Sequence, residues 1–145
     1  MKDLHSKTFA VLAIAAAVYT DDNTPANIDL AGHKSAEVVL LVGAGGITFN
    51  GTNKIEFKLT HSDDGSSFSP VTAVDVLGVE PGEGGIIKAL TAAHATAAAY
   101  RFGYVGGKRY LRLLADFGGT HGTGTALAAA IILSDGELNP QPDQA

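Results

Sequence analysis

The residues with the strongest claim to chemistry in this chain are five histidines, two glycine-bearing loops and a cluster of tyrosines and arginines. His5, His33, His61, His94 and His121 lie far apart, with no His-x-His or His-x-x-x-His pair among them. Those are spacings that put two imidazoles on one face of a strand or helix. His61 and His121, each in a polar loop, are the first candidates for a metal site assembled across the fold. Nothing beside them completes one, and no metal is expected. Asp63-Asp64-Gly65 opens like a calcium loop but lacks the alternating oxygen ligands and the closing glutamate, so it reads as a solvated turn. Gly43-Ala44-Gly45-Gly46 is as glycine-rich as a phosphate loop. Ile47-Thr48-Phe49 follows it, however, where a Walker loop requires Gly-Lys-Ser/Thr, and the dinucleotide spacing fails too. No Gly-x-Ser-x-Gly elbow occurs; Ser35, Ser62, Ser66, Ser67, Ser69 and Ser134 sit in or beside turns. The chain has no cysteine, which excludes zinc-thiolate sites, iron–sulfur clusters and thiol nucleophiles. The acidic residues fall mainly in loops and on strand exteriors. The expectation is a protein with no catalytic residue and no cofactor.

The tyrosines and arginines point elsewhere. All three arginines and three of the four tyrosines fall within residues 97–117, AAAYRFGYVGGKRYLRLLADF. Both residue types are enriched at protein interfaces, where they combine contact area with directional polar groups. Tyr100, Tyr104, Arg109, Tyr110 and Arg112 are therefore candidates for contact with a partner. The plainer alternative is that Tyr100 and Tyr110 are cross-strand neighbours and the arginines pair with nearby acids.

The elements that must position these residues read as strands. Residues 98–105 carry Tyr100, Phe102 and Tyr104, which suit a pleated surface. Gly106-Gly107 is a strong two-residue hairpin signal, and residues 109–117 alternate, with Leu111, Leu113, Ala115 and Phe117 on one side. This stretch is expected to be a hairpin. Residues 54–60 alternate most cleanly, with Ile55, Phe57 and Leu59 inward. Residues 36–42 and 125–134 are apolar on both faces, as in strands covered on both sides or pressed against a neighbouring subunit. Asp21-Asp22-Asn23-Thr24-Pro25 is a turn cluster, Pro70 confines its segment to an edge or loop, and 86–90 is a further strand. With about eight such strands separated by turn signals, the class is all-β: an antiparallel, jelly-roll-like β-sandwich with extended N- and C-terminal segments.

Length and charge set bounds. The 145 residues fit one domain with a self-sufficient core. A formal charge of −5 argues against nucleic acid as a partner. Residues 1–17 resemble a short secretory signal, with Lys2 and Lys7 before an apolar run and Ala15-Ala16-Ala17 as a cleavage region. Asp3 and His5 interrupt its basic part, and the run is about half of the ~20 residues a membrane helix needs. Residues 9–20 are instead expected as a buried strand or strand pair, so that residues 1–8 form an arm, 9–138 the sandwich, and 139–145 (NPQPDQA) a tail that orders only against something else.

The order of these elements resembles a family of small accessory structural proteins of tailed bacteriophages. The matching features are Ile28-Asp29-Leu30-Ala31-Gly32, the apolar strand running into Gly43, Ser62-Asp63-Asp64-Gly65 with Phe68, and Val74-Asp75-Val76-Leu77-Gly78. The most specific is Gly103-Tyr104-Val105-Gly106-Gly107-Lys108-Arg109-Tyr110-Leu111-Arg112, and the likeness spans residues 26–134. Such proteins are head decoration (cement) proteins or bases of head spikes. The resemblance implies a non-catalytic virion protein on the outer capsid surface. It would be made in the bacterial cytoplasm, with the major capsid protein and copies of itself (a homotrimer) as partners and no contact with nucleic acid or membrane. On that reading Tyr100, Tyr104, Arg109, Tyr110 and Arg112 would serve a subunit or capsid interface. Two other readings stay open: a different virion part, such as a spike base, tail or head–tail joining protein, and a secreted carbohydrate-binding sandwich.

Overall fold

Alternation of apolar and polar side chains builds this molecule. The computed structural model describes residues 2–144. A single 3-10 turn at His5–Lys7 precedes ten strands: β1 (Thr8–Tyr19), β2 (Ile28–Asp29), β3 (Ser35–Val42), β4 (Lys54–Ser62), β5 (Ser69–Pro70), β6 (Val76–Leu77), β7 (Ile86–Leu90), β8 (Ala98–Tyr104), β9 (Tyr110–Gly118) and β10 (Thr125–Ser134). No α-helix occurs among the described residues, and no helix is long and apolar enough to cross a membrane.

The strands form two antiparallel sheets. The first has the order β1-β10-β3-β8-β6, and the second β2-β9-β4-β5, with β7 also paired to β4. With the two-residue strands β5 and β6 set aside, β1-β10-β3-β8 faces β2-β9-β4-β7, which is the strand order of a jelly roll. The chain changes sheet at almost every step. The core lies between the sheets, where the inward residues of both interdigitate. Ile55, Phe57 and Leu59 of β4 and Leu111, Leu113 and Ala115 of β9 come from one side. Val38, Leu40 and Val42 of β3 and Leu127, Ala129, Ile131 and Leu133 of β10 come from the other. Burying each large aliphatic side chain contributes roughly 1.5–3 kcal/mol.

Three expectations need correction. Residues 98–117 are not a hairpin: β8 pairs β3 and β6 in the first sheet, while β9 pairs β2 and β4 in the second. Tyr100 and Tyr110 are therefore not cross-strand neighbours. A type I′ turn needs φ > 0 at both central residues; Gly107 has φ 71°, but Gly106 does not share it. Glycine is needed at 106 for a different reason. A Cβ there would stand 2.8 Å from the Tyr104 ring and 2.7 Å from the Asp75 carboxylate. The loop wraps the ring as the chain crosses between sheets.

Secondly, β1 is an edge strand and not a buried one. Only Ala13 and Ile14 are buried, and two register irregularities break its pairing with β10. Thirdly, the tail is held by the arm of its own chain. The Gln141 N–H donates to the Ser6 carbonyl at 2.9 Å. The Gln144 side chain accepts from the Ala10 N–H at 2.9 Å and donates to the Ala10 carbonyl at 2.8 Å.

That last contact belongs to a wider pattern. The Asp21–Pro25 cluster lies along the outer edge of β9. Asp22 accepts the Phe117 N–H, while Asn23 accepts the Ala115 N–H and donates to the Leu113 carbonyl. Side chains thus occupy backbone groups that an open sheet edge would offer to another strand.

Candidate functional site

Of the five residues singled out for an interface, Arg109, Tyr110 and Arg112 lie together at the start of β9, while Tyr100 and Tyr104 belong to β8 of the other sheet. Tyr104 is buried. Its hydroxyl accepts the Lys108 N–H at 3.0 Å and meets His61 Nδ1 at 2.9 Å. Burial pushes the Tyr104 pKa up, and burial also pulls the His61 pKa down. Tyr100, in the first sheet, shares a 3.0 Å hydrogen bond with His94 Nε2; His94 Nδ1 donates to the Gly43 carbonyl at 2.9 Å. The Lys88 ammonium lies 4.2 Å above the Tyr100 ring.

On the second sheet, Arg109 grips Asp29 in a two-point pair at 2.9 and 2.7 Å and covers the Tyr110 ring. That guanidinium holds the Asp29 carboxyl down at about 2. Arg112 donates to Asn27 and stacks on Phe68 at 3.9 Å. Each aromatic and each cation in the group is engaged inside the chain.

The other chemical candidates resolve in the same way. Asp64 accepts the Ser66 and Ser67 N–H groups at 2.8 Å each, and also the Ser62 hydroxyl. The backbone donors, Ser67 first, hold its carboxyl down at about 2. This is a self-satisfied turn. His121 donates to the Gly118 carbonyl and packs edge-on against Phe117. No group of three or more His, Cys, Asp or Glu side chains that could hold a metal ion forms among the described residues. In the Gly43–Gly46 loop, a Cβ on Gly46 would overlap the Gly124 carbonyl oxygen, and one on Gly43 would press on Ala126 at 2.9 Å. Close backbone approach between two loops accounts for these glycines.

His33 Nδ1, His121 Nδ1 and Thr125 Oγ1 are buried without a hydrogen-bond partner, but they are isolated atoms; the extended unpartnered feature is a surface. The outer faces of the two sheets differ sharply. That of the second sheet carries Lys54, Glu56, Lys58, Arg112 and Asp116, laced by Lys54–Glu56 and Lys58–Asp116 ion pairs. That of the first sheet is apolar. The pairing register aligns Leu12, Ala130 and Val39 in one row across β1, β10 and β3. The next row holds Ala128, Leu41 and Ala99. Val18 and Ala126 extend the face at one end, and Ile132 and Leu77 at the other. Leu12 is 61% exposed, Val18 63%, Leu41 49% and Leu77 59%. Among the described residues, Glu37 and Arg101 are its only charges, and they pair with each other at 3.0 Å. Contiguous apolar patches on this scale mark interaction sites.

The doubly apolar composition of residues 36–42 and 125–134 was the sequence signal for this face. The chain matches no protein-family model, no curated protein and no solved structure.

Proposed function

We propose that this chain is a structural virion protein, of the head decoration or cement type. It would bind the outer surface of a phage capsid as an oligomer, contact the major capsid protein and stabilise the shell without catalysis. The observation that carries the reading is the contrast between the two outer sheet faces: one solvated and ion-paired, the other apolar and uncovered. A surface of that kind suits permanent assembly. The side-chain caps along the sheet edges suit it too, since they suppress edge-to-edge pairing and leave the face as the means of association. Many weak sites on one particle raise avidity by about 10²–10⁴ without new contacts. The carbohydrate-binding reading draws less support, because Tyr100, Tyr104 and Tyr110 are each held by neighbours in the chain.

The test is co-sedimentation of purified protein with phage heads that lack it. Saturation at a fixed copy number, together with heads that survive more heating when loaded, is the expected result. Occupancy restricted to fivefold vertices or to tails would replace decoration with a spike-base or tail role. Protein that stays in the supernatant would remove the virion reading.

A further inference from the structure

We infer that two copies of this chain pack face to face through the outer surface of the first sheet, as a two-fold dimer. The inference rests on reading that face as an assembly surface, and it names the occupant: a second copy of the same face.

Three observations select that occupant. The first is the lack of another apolar sheet face among the described residues. A heterologous, head-to-tail contact needs a second complementary patch on the same molecule, whereas an isologous contact needs one self-complementary patch. The second sheet offers Lys54, Glu56, Lys58, Arg112 and Asp116, which would strand buried charges against Leu12 and Leu41. The first sheet meets itself at a smaller cost, because among the described residues its charges are limited to Glu37 and Arg101, which pair with each other at 3.0 Å.

The second observation is relief. Ala126, Ala128 and Ala130 run down β10, the middle of the face, while Leu12, Val18 and Leu41 flank them on β1 and β3. Beside Leu41 lies a trough of ≈ 650 Å³, walled in part by Val18, Ala99, Ala126 and Ala128. A two-fold copy presents its own leucines to this trough. Three sheets arranged as a prism would leave the alanine row facing an axis that such short side chains cannot fill. The relief therefore favours two-fold pairing over the homotrimer that the phage resemblance implies.

The third observation is size. The face is four strands wide (β1-β10-β3-β8) and as long as the eight residues of β3. By strand spacing and rise it covers roughly 500 Å². Two such faces remove on the order of 1,000 Å² from water, which is where specific interfaces begin.

The test is the mass of the full chain by sedimentation equilibrium at micromolar concentrations. The wild type is expected at twice the mass of one chain. Ala128→Arg and, independently, Leu41→Asp are expected to halve it, with circular dichroism and melting unchanged because both positions face outward. Thr60→Arg, the corresponding change on the second sheet, is expected to keep the dimer. A monomeric wild type, a trimer, or a dimer that survives both face variants would overturn the inference. Binding to heads is scored separately. A dimer that ignores heads overturns the decoration reading and leaves the pairing standing; a monomer that saturates heads does the reverse.

Discussion

His61 and Tyr104 share a 2.9 Å hydrogen bond that joins the two sheets through the core, His61 from β4 and Tyr104 from β8. Both are buried, and their rings meet edge to face with centroids 5.9 Å apart. The same hydroxyl pins the crossing loop through the Lys108 N–H. Tyr104→Phe keeps the packing and strips both bonds, leaving buried polar groups unpaired. The expected loss is about 1–3 kcal/mol, read as a melting temperature lower by several degrees in thermal unfolding. An unchanged midpoint would mean that water replaces the hydroxyl.

A pH dependence follows from the same pair. Burial lowers the folded-state pKa of His61; the Lys108 charge adds to that, while Asp75 and Asp63 oppose it. The unfolded chain therefore takes up the proton first as pH falls through about 6.5, and stability drops with it. His5 works in the opposite sense, because Asp143 raises its pKa. Its contribution is present below about 6.5 and fades as pH rises through the raised value. Melting temperature is expected to rise between mildly acidic and neutral pH in the wild type. His61→Gln should flatten that rise. His5→Gln should steepen it, because the opposing contribution is removed; a His61→Gln variant that keeps the full rise would assign the titration to another group.

At lower pH the Asp29–Arg109 pair takes over. Arg109, followed by the Ala31 N–H, holds the Asp29 carboxyl at about 2 in the folded chain. Its stabilising contribution is complete above the ordinary carboxylate value near 3.9 and is lost as pH falls toward 2. Arg109→Gln should raise the Asp29 pKa, followed by carbon-detected NMR, and move the acid-unfolding midpoint upward. A midpoint unchanged by the substitution would assign acid unfolding to other carboxylates.

How much of this could be read from the residues depends on which rule governs each segment. The inward set Ile55, Phe57 and Leu59 was legible, because period-two alternation fixes a strand's faces whatever its neighbours are. Partners were not: the same alternation in 98–104 and 110–118 fits a hairpin or two strands on opposite sheets. The folded chain decides between them by pairing β8 with β3 and β9 with β4, on opposite sheets. The Asp21–Pro25 cluster had the composition of a turn, yet Asp22 and Asn23 act as edge caps on β9, a role set by residues more than 90 positions away. Residue type alone does not show whether a cation is already engaged within the chain. Arg109 and Arg112 are engaged by Asp29 and Asn27, while plain alanines on β10 make up the uncovered face.

Two glycines of the β3–β4 connection give a paired test of close approach against turn flexibility. A Cβ at Gly46 would drive into the Gly124 carbonyl, whereas one at Gly51 meets nothing within 4 Å, and neither residue has a positive φ. Gly46→Ala is expected to destabilise by more than about 2 kcal/mol, as a backbone clash that cannot relax. Gly51→Ala is expected to be neutral or to stabilise by up to about 1 kcal/mol by restricting the unfolded chain. Chemical denaturation of both variants reads the difference directly. Equal losses would show that the loops move apart easily.

The tail gives the last test, since it separates ordering of the ends from stability of the sandwich. Gln144 occupies both backbone groups of Ala10 on the free edge of β1, and Gln141 and Asp143 reach Ser6 and His5. These are exposed contacts, worth little individually, and the β1–β10 ladder beneath them does not depend on them. A chain ending at Leu138 is therefore expected to melt within about 1 kcal/mol of the full chain. Its Ala10 amide should exchange with solvent markedly faster, and trypsin should cut after Lys7 more readily. Gln144→Ala alone should reproduce the change at Ala10 without altering cleavage. If truncation unfolds the sandwich, the tail is part of its core stability; if neither exchange nor cleavage changes, the arm is held by β10 alone.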